Sequence, residues 1–356
     1  MPNTLTHEPA ALPEARAKGT GPSQPAAQWL VLEYLAAAND LEGELLSDLA
    51  EMERVGSTPG VVEILAQVDR SPGHDASKGD WHGTRRYYVT RGTVPADRGI
   101  AYDDSAADCL DNQELKRVVA TAHRVLGRKV DVVGMDACLM TMIEVAYQLR
   151  EHAQVLVGSE EVEPGPGWPH STILADLTKN PAMTGRELGA AIVHRYVESY
   201  RHGGENTTQS AIDLGQLDDL VEAVDVLARR LLAGIKSAAV AASLLGARRH
   251  TLQFFEGFYV DLHHLAANLA TATGNGRIAD ACRDVQRMID GDEVRSPIIA
   301  QGHAGASMVP ARGISIYFPL FLDRSAFYRE LDFASATRWA DFLEAFLSTG
   351  RARETR

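Results

Sequence analysis

Cysteine is scarce in this chain: Cys109, Cys138 and Cys282 are the three among 356 residues. Three thiols so scattered cannot form a disulfide framework, and no CxxC pair or Cys/His cluster has the spacing of a zinc site. A working thiol is the remaining use for one of them. Positive charge is also in short supply, with 35 Lys and Arg against 48 Asp and Glu, a net charge of −13. That balance argues against general binding to nucleic acid or to an anionic membrane, and it favours basic partners. No apolar run reaches the length of a membrane-spanning helix. The N-terminus lacks the basic, apolar and small-residue succession of a secretory signal, so the expected location is cytoplasmic. There is no internal repeat.

What is present is enough chain to bury a core of its own. Residues 1–27 hold Pro2, Pro9, Pro13, Pro22 and Pro25 among Ala, Thr, Glu and Gly, a composition expected to stay disordered. Trp29 to Leu35 predicts a strand, and Asn39-Asp40 predicts the cap of a helix reaching Met52. Val61 to Val68 and Arg85 to Thr90 are β-rich, Gln113 to Leu126 predicts a helix, and Lys129 to Gly134 reads as a buried parallel strand. Leu139 to Arg150 is patterned as an amphipathic helix, and Gln154 to Gly158 as the next strand. This alternation predicts an α/β fold, a mainly parallel sheet flanked by helices. Beyond Thr184 come a helix to Tyr200, a strand at Gln209 to Leu214 and an Ala- and Leu-rich helix from Leu217 to about Leu245. A late strand, Gly313 to Phe318, is closed by Pro319, and a last helix spans Thr337 to Leu347. The core is expected over 28–215, followed by a mostly helical portion over 216–350 that contributes the strand at 313–318.

Cys138 follows the strand that ends at Met135, and in open α/β sheets ligands gather beyond the carboxyl ends of strands. It precedes the predicted helix from Leu139, whose unpaired amides and dipole would favour a thiolate. On composition alone, a lone cysteine among Ala, Leu and Met is more often core than nucleophile.

Ordered motifs reverse that reading. Met135-Asp-Ala-Cys-Leu-Met140, Glu144-Val-Ala-Tyr-Gln148, Gly158-Ser-Glu-Glu161 and Pro164-Gly-Pro-Gly-Trp-Pro169 follow one another as in the nucleophile region of the clostripain family, which the chain resembles. The resemblance extends to Trp29 through Glu42, Trp81 through Val89, Ala101-Tyr-Asp-Asp-Ser105, Ser210-Ala-Ile-Asp213, Tyr259-Val-Asp-Leu262 and Gly313 through Pro319. It implies a caspase-like fold and a cysteine endopeptidase that cleaves after Arg or Lys with a Cys/His dyad. It makes Cys138 the nucleophile and Asp136 the carboxylate that receives the basic side chain, which a carboxylate can hold through two hydrogen bonds. Ser159 and Glu160, at the end of the neighbouring strand, would stand on the same rim. Without the family, Asp136 reads equally as a helix cap, and Ser159 and Glu160 as a solvated loop.

A cysteine peptidase needs a partner to take the thiol proton and to protonate the leaving amine, normally a histidine. In the family it sits in a His-Gly step between the segments matching Arg85 to Val89 and Ile100 to Ser105. Here Thr90 to Gly99 joins them and holds no histidine. An inner strand and a backbone donor for the oxyanion are expected to go with it. His82-Gly83 and His202-Gly203 match other parts of the pattern, and His170 lies near the site in sequence. His263 and His264 lack ligand spacing and read as core or helix surface. The expected function is a clostripain-like endopeptidase for protein or peptide substrates with Arg or Lys, impaired in turnover. The alternatives are an inactive homologue that binds peptides as a regulatory module, and a shortened version of a complete enzyme. No cofactor and no metal ligands are expected. Calcium enters only through the resemblance, and Asp103-Asp104 and Glu160-Glu161 lack the spacing of an EF-hand loop.

Overall fold

A computed structural model describes residues 27–37, 41–70, 81, 83–91, 112–291, 295–320 and 328–354. The tail expected over 1–27, apart from its last residue, lies outside the described residues. So do most of the joining segment after Arg91, and His82, Asp103, Asp104 and Cys109.

β1 (Trp29–Ala37) turns Trp29, Val31, Leu35 and Ala37 inwards and Leu30, Leu32 and Tyr34 outwards, the period of two that a strand imposes. α1 (Glu42–Val55) buries Leu46, Leu49 and Met52 and returns the chain to β2 (Val62–Arg70), which pairs parallel with β1. β3 (Gly83–Tyr88) pairs antiparallel with β2. After α2 (Asn112–Leu126) come β4 (Val130–Gly134), α3 (Ile143–Leu149), β5 (Ala153–Gly158), α4 (His170–Lys179), α5 (Gly185–Tyr200) and β6 (Thr207–Asp213). α6 (Leu217–Gly234) and α7 (Ala238–His250) lead through β7 (Gln253–Phe254) and the one-turn α8 (Phe255–Phe258) to β8 (Tyr259–Asp261). α9 (Leu262–Ala272), α10 (Gly276–Ile289), β9 (Ile298–Ala304), β10 (Ser315–Tyr317), α11 (Asp332–Ala336) and α12 (Trp339–Glu354) complete the chain.

The strands form three sheets, ordered β1-β2-β3, β4-β5-β6-β9 and β10-β8-β7. β1/β2 and β4/β5 run parallel; β6, β9 and the strands of the small sheet add antiparallel. The result is a mixed α/β fold with helices on both sides. Alternation along β5 and β6 divides the core: Val155, Val157 and Ala211 pack with α1, α4 and α5, whereas Leu156 and Ile212 pack with α3, α6, α9 and α10.

Among the described strands, β1 and β4 are the outer members of their sheets. The first two sheets nonetheless share a core, in which Leu35, Val62 and Ile64 join Val157 and Ile173. Trp29 Nε1 ties them further by donating to Pro181 O at 3.0 Å. Among the described residues the halves are packed together through side chains. On the outer side, Leu30, Leu32 and Tyr34 of β1 and Val118, Val125 and Leu126 of α2 are exposed.

Three expectations change. The helix expected from Leu139 begins at Ile143. The helix expected over 217–245 breaks after Gly234 into α6 and α7. The late strand is present as β10, but it pairs with β8; the second sheet is closed instead by β9, whose Gln301, Gly302 and His303 break the apolar run that would have marked it.

Candidate active site

Beyond β4, Met135 continues the ladder by donating its N–H to Val157 O at 2.9 Å. The following loop is fastened to the segment after β5, with Leu139 N–H donating to Glu161 O at 3.2 Å and Thr141 N–H to Ser159 O at 3.0 Å. Cys138 is held half-buried beside these anchors, and the Glu163 N–H donates to its Sγ at 3.3 Å. Leu139 has φ 65°, the only non-glycine residue in the left-handed region among the described residues. Such a conformation costs about 1–2 kcal/mol and turns the chain sharply next to Cys138. Because α3 starts only at Ile143, Cys138 does not stand at the helix N-terminus expected of it.

Asp136 turns its carboxylate away from the sulfur loop. Its Oδ2 accepts from Trp168 N–H at 2.8 Å and lies 3.2 Å from His170 Nε2. Gly167 permits this approach: a Cβ there would stand 2.8 Å from Oδ2, and its φ of +58° suits glycine. Glu33 from the inward face of β1, Asp48 from α1 and Glu163 act on the same pair. Burial alone would lower His170, but the hydrogen bond to Asp136 and the neighbouring carboxyls outweigh it and raise the imidazole to about 9. Burial likewise pushes Asp136 up, yet the His170 bond and the adjacent Glu163 hold it below the ordinary carboxylate range. Burial raises Asp48 to about 7 and, with the Asp136 charge, raises Glu163 well above its ordinary value. At neutral pH the site is one imidazolium–carboxylate pair ringed by carboxyls that keep their protons wholly or in part.

Ser159 and Glu160 do not line the rim expected of them, since both side chains are buried. Ser159 Oγ lies 3.0 Å from Thr208 Oγ1, and Glu160 Oε2 accepts from Gly313 N–H at 2.8 Å. Burial and the adjacent Asp261 raise Glu160 well above its usual value, and burial raises Asp261 to about 6. The cause is topological: β6 pairs along β5 on the side that the sequence left open, so the end of β5 is covered.

The family model of the clostripain family matches residues 76–346. The chain belongs to the clostripain family. It is 26% identical to clostripain from Hathewaya histolytica over 56% of this chain and 56% of that protein, so it spans about half the length of the curated relative it matches. A secreted C11 cysteine protease from Bacteroides thetaiotaomicron, solved with an irreversible peptide inhibitor, has a TM-score of 0.59 at 18% identity, covering 89% of this chain and 99% of that one. An inactive zymogen C11 protease from Parabacteroides distasonis gives the same TM-score of 0.59, identity of 18% and coverage of 89% and 99%. These likenesses establish the fold, which is caspase-like. The cytoplasmic expectation does not stand against them, since the Bacteroides relative is a secreted protease. No described helix is long and apolar enough to cross a membrane.

Among the described residues no histidine hydrogen-bonds to Cys138; His170 is bonded to Asp136 instead. His202 is exposed in the turn after α5, His263 lies 2.8 Å from Asp290, and His264 accepts from Leu252 N–H at 3.0 Å. Glu33, Asp48 and Glu163 belong to no motif. Two of them do leave a trace in phase: Glu33 sits between Val31 and Leu35 on the inward side of β1, and Asp48 lies on the Leu45, Leu49 and Met52 stripe of α1.

Proposed function

We propose that this chain acts as a clostripain-type cysteine endopeptidase toward peptides with Arg or Lys, with its binding parts retained and its turnover strongly impaired. One contrast carries the reading: Cys138 has an amide on its sulfur, yet among the described residues no imidazole is bonded to it. Cys138 would attack the scissile carbonyl and Asp136 would meet the basic side chain, in competition with His170 for Oδ2. No residue placed so far returns a proton to the leaving amine. A regulatory, peptide-binding module is the limit of this reading at which turnover is nil.

Two measurements on the full chain test it. A fluorogenic Arg peptide should show hydrolysis at or near the level of the Cys138→Ala variant. An Arg-terminated peptide should bind in calorimetry, and Asp136→Asn should weaken that binding about tenfold or more, since a charge-assisted pair is lost. Thiol-dependent turnover at the rate of an ordinary peptidase, on the order of 1–10 s⁻¹ or faster, would overturn the impairment. Binding indifferent to Asp136 would overturn the basic specificity.

A further inference from the structure

Asp48 and Asp136 each offer a carboxylate oxygen and His170 a ring nitrogen, and these three atoms lie within 4.8 Å of one another. The His170 Nε2 to Asp136 Oδ2 separation is 3.2 Å. Two ligands at about 2.0–2.1 Å from a tetrahedral zinc stand roughly 3.3 Å apart, so little movement is needed. An independent observation comes from Glu163. Its carboxyl acts on Asp136 at close range, and both of its oxygens are buried. The Trp168 N–H on Asp136 Oδ2, at 2.8 Å, is the kind of outer contact that fixes a ligand oxygen. Among the described residues Asp136 forms its ion pair with His170 rather than with an arginine or lysine.

We propose that Asp48, Asp136 and His170, with the carboxyl of Glu163 facing them from beside Asp136, form a site for a divalent transition-metal cation of the zinc class. The donor set decides the class. An imidazole among a few carboxylates suits zinc and its neighbours, whereas calcium takes six to eight oxygens. A bound cation would also occupy the oxygen assigned above to the substrate's basic side chain. That competition rests on the proposed function; the metal site does not.

The test uses the full chain carrying Cys138→Ala, which removes the half-buried thiol as a rival ligand. Calorimetric titration with zinc alone should give one equivalent per chain, weakened about tenfold or more by Asp48→Asn and by His170→Gln. His123→Ala should change nothing, although His123 and His152, with Nδ1 atoms 3.2 Å apart, are the rival pair. Uptake that follows His123, or that persists unchanged in both cluster variants, overturns the site, as does the absence of stoichiometric binding. If a cluster variant does not fold, emission decides: the Trp168 ring stacks on His170 with centroids 6.4 Å apart, so cobalt should quench it. Quenching undiminished by Trp168→Phe overturns the site. Zinc bound stoichiometrically without Asp136-dependent peptide binding would leave the metal site standing while the proposed function falls.

Discussion

The amide nitrogen of Glu163 stands 3.3 Å from the sulfur of Cys138, and among the described residues no histidine shares that sulfur. The two halves of thiol catalysis are thereby separated. A fixed N–H can hold the sulfur in place, but it cannot carry a proton to a leaving amine.

We therefore expect alkylation without hydrolysis. Iodoacetamide should modify Cys138, while Cys282, fully buried and pushed up to about 12 by that burial, should resist until the chain unfolds. A missing acid–base partner costs about 10²–10⁴ in rate and a missing oxyanion donor about 10²–10³, together roughly 10⁴–10⁷. Peptide mapping of the alkylated chain checks the first expectation. A fluorogenic assay checks the second, and a signal well above the Cys138→Ala blank would contradict it.

The Asp136–His170 pair should behave as a buried ion pair, both side chains being largely enclosed. Removing the imidazole in His170→Ala strands a carboxylate, and we expect a loss of about 3–5 kcal/mol by urea denaturation. The double variant His170→Ala, Asp136→Asn should recover part of that loss. Additive losses would show that the two groups act independently.

Stability should fall as pH rises from about 5 to about 9. Burial raises Asp48 and Glu144 to about 7 and Asp261 to about 6, against unfolded values near 4. Each holds its proton more tightly when folded, so its contribution is greatest in acid and is lost as pH climbs through the folded value. His170, raised to about 9, adds in the same sense: its contribution is full below about 6.5 and is lost through 9. Thermal melts across this range check the slope. A melting temperature that rises between about pH 5 and 8 would contradict it.

Gly167 is the sharpest single position in the cluster. Alanine would place a Cβ 2.8 Å from Asp136 Oδ2 at a φ of +58°. The backbone term alone is about 1–2 kcal/mol, and the carboxylate must also leave the Trp168 amide. We expect Gly167→Ala to lower stability by at least that amount and to weaken basic peptides more than neutral ones. Equal weakening of both would mean that Asp136 has no part in specificity.

How much of this was legible in the sequence depends on range. β1, β2 and α5 carry regular side-chain phase and read correctly, whereas β4, expected as a buried strand, is a strand whose residues are half-buried or exposed. α3 starts late because Leu139 and Thr141 commit their N–H groups to Glu161 and Ser159. Cys138 and Asp136 were visible because they sit in one short motif. Ser159 and Glu160 were misread because their burial depends on β6 and Gly313, which lie far along the chain. Glu33 and Asp48 reach Asp136 only through packing between two sheets, a proximity that no local pattern encodes.

The last expectation concerns the face that those two sheets leave open. Leu32 of β1 is 66% exposed and Val125 of α2 80% exposed, beside Leu30, Tyr34, Val118 and Leu126. Large apolar side chains exposed to water favour self-association. We expect the chain to self-associate with rising concentration and to bind an apolar dye while folded. Leu32→Lys should suppress association in light-scattering chromatography and leave the urea midpoint within about 0.5 kcal/mol, because the side chain it replaces is mostly in water. A large loss of stability in that variant would mean instead that Leu32 is covered in solution, and the open face would have to be abandoned.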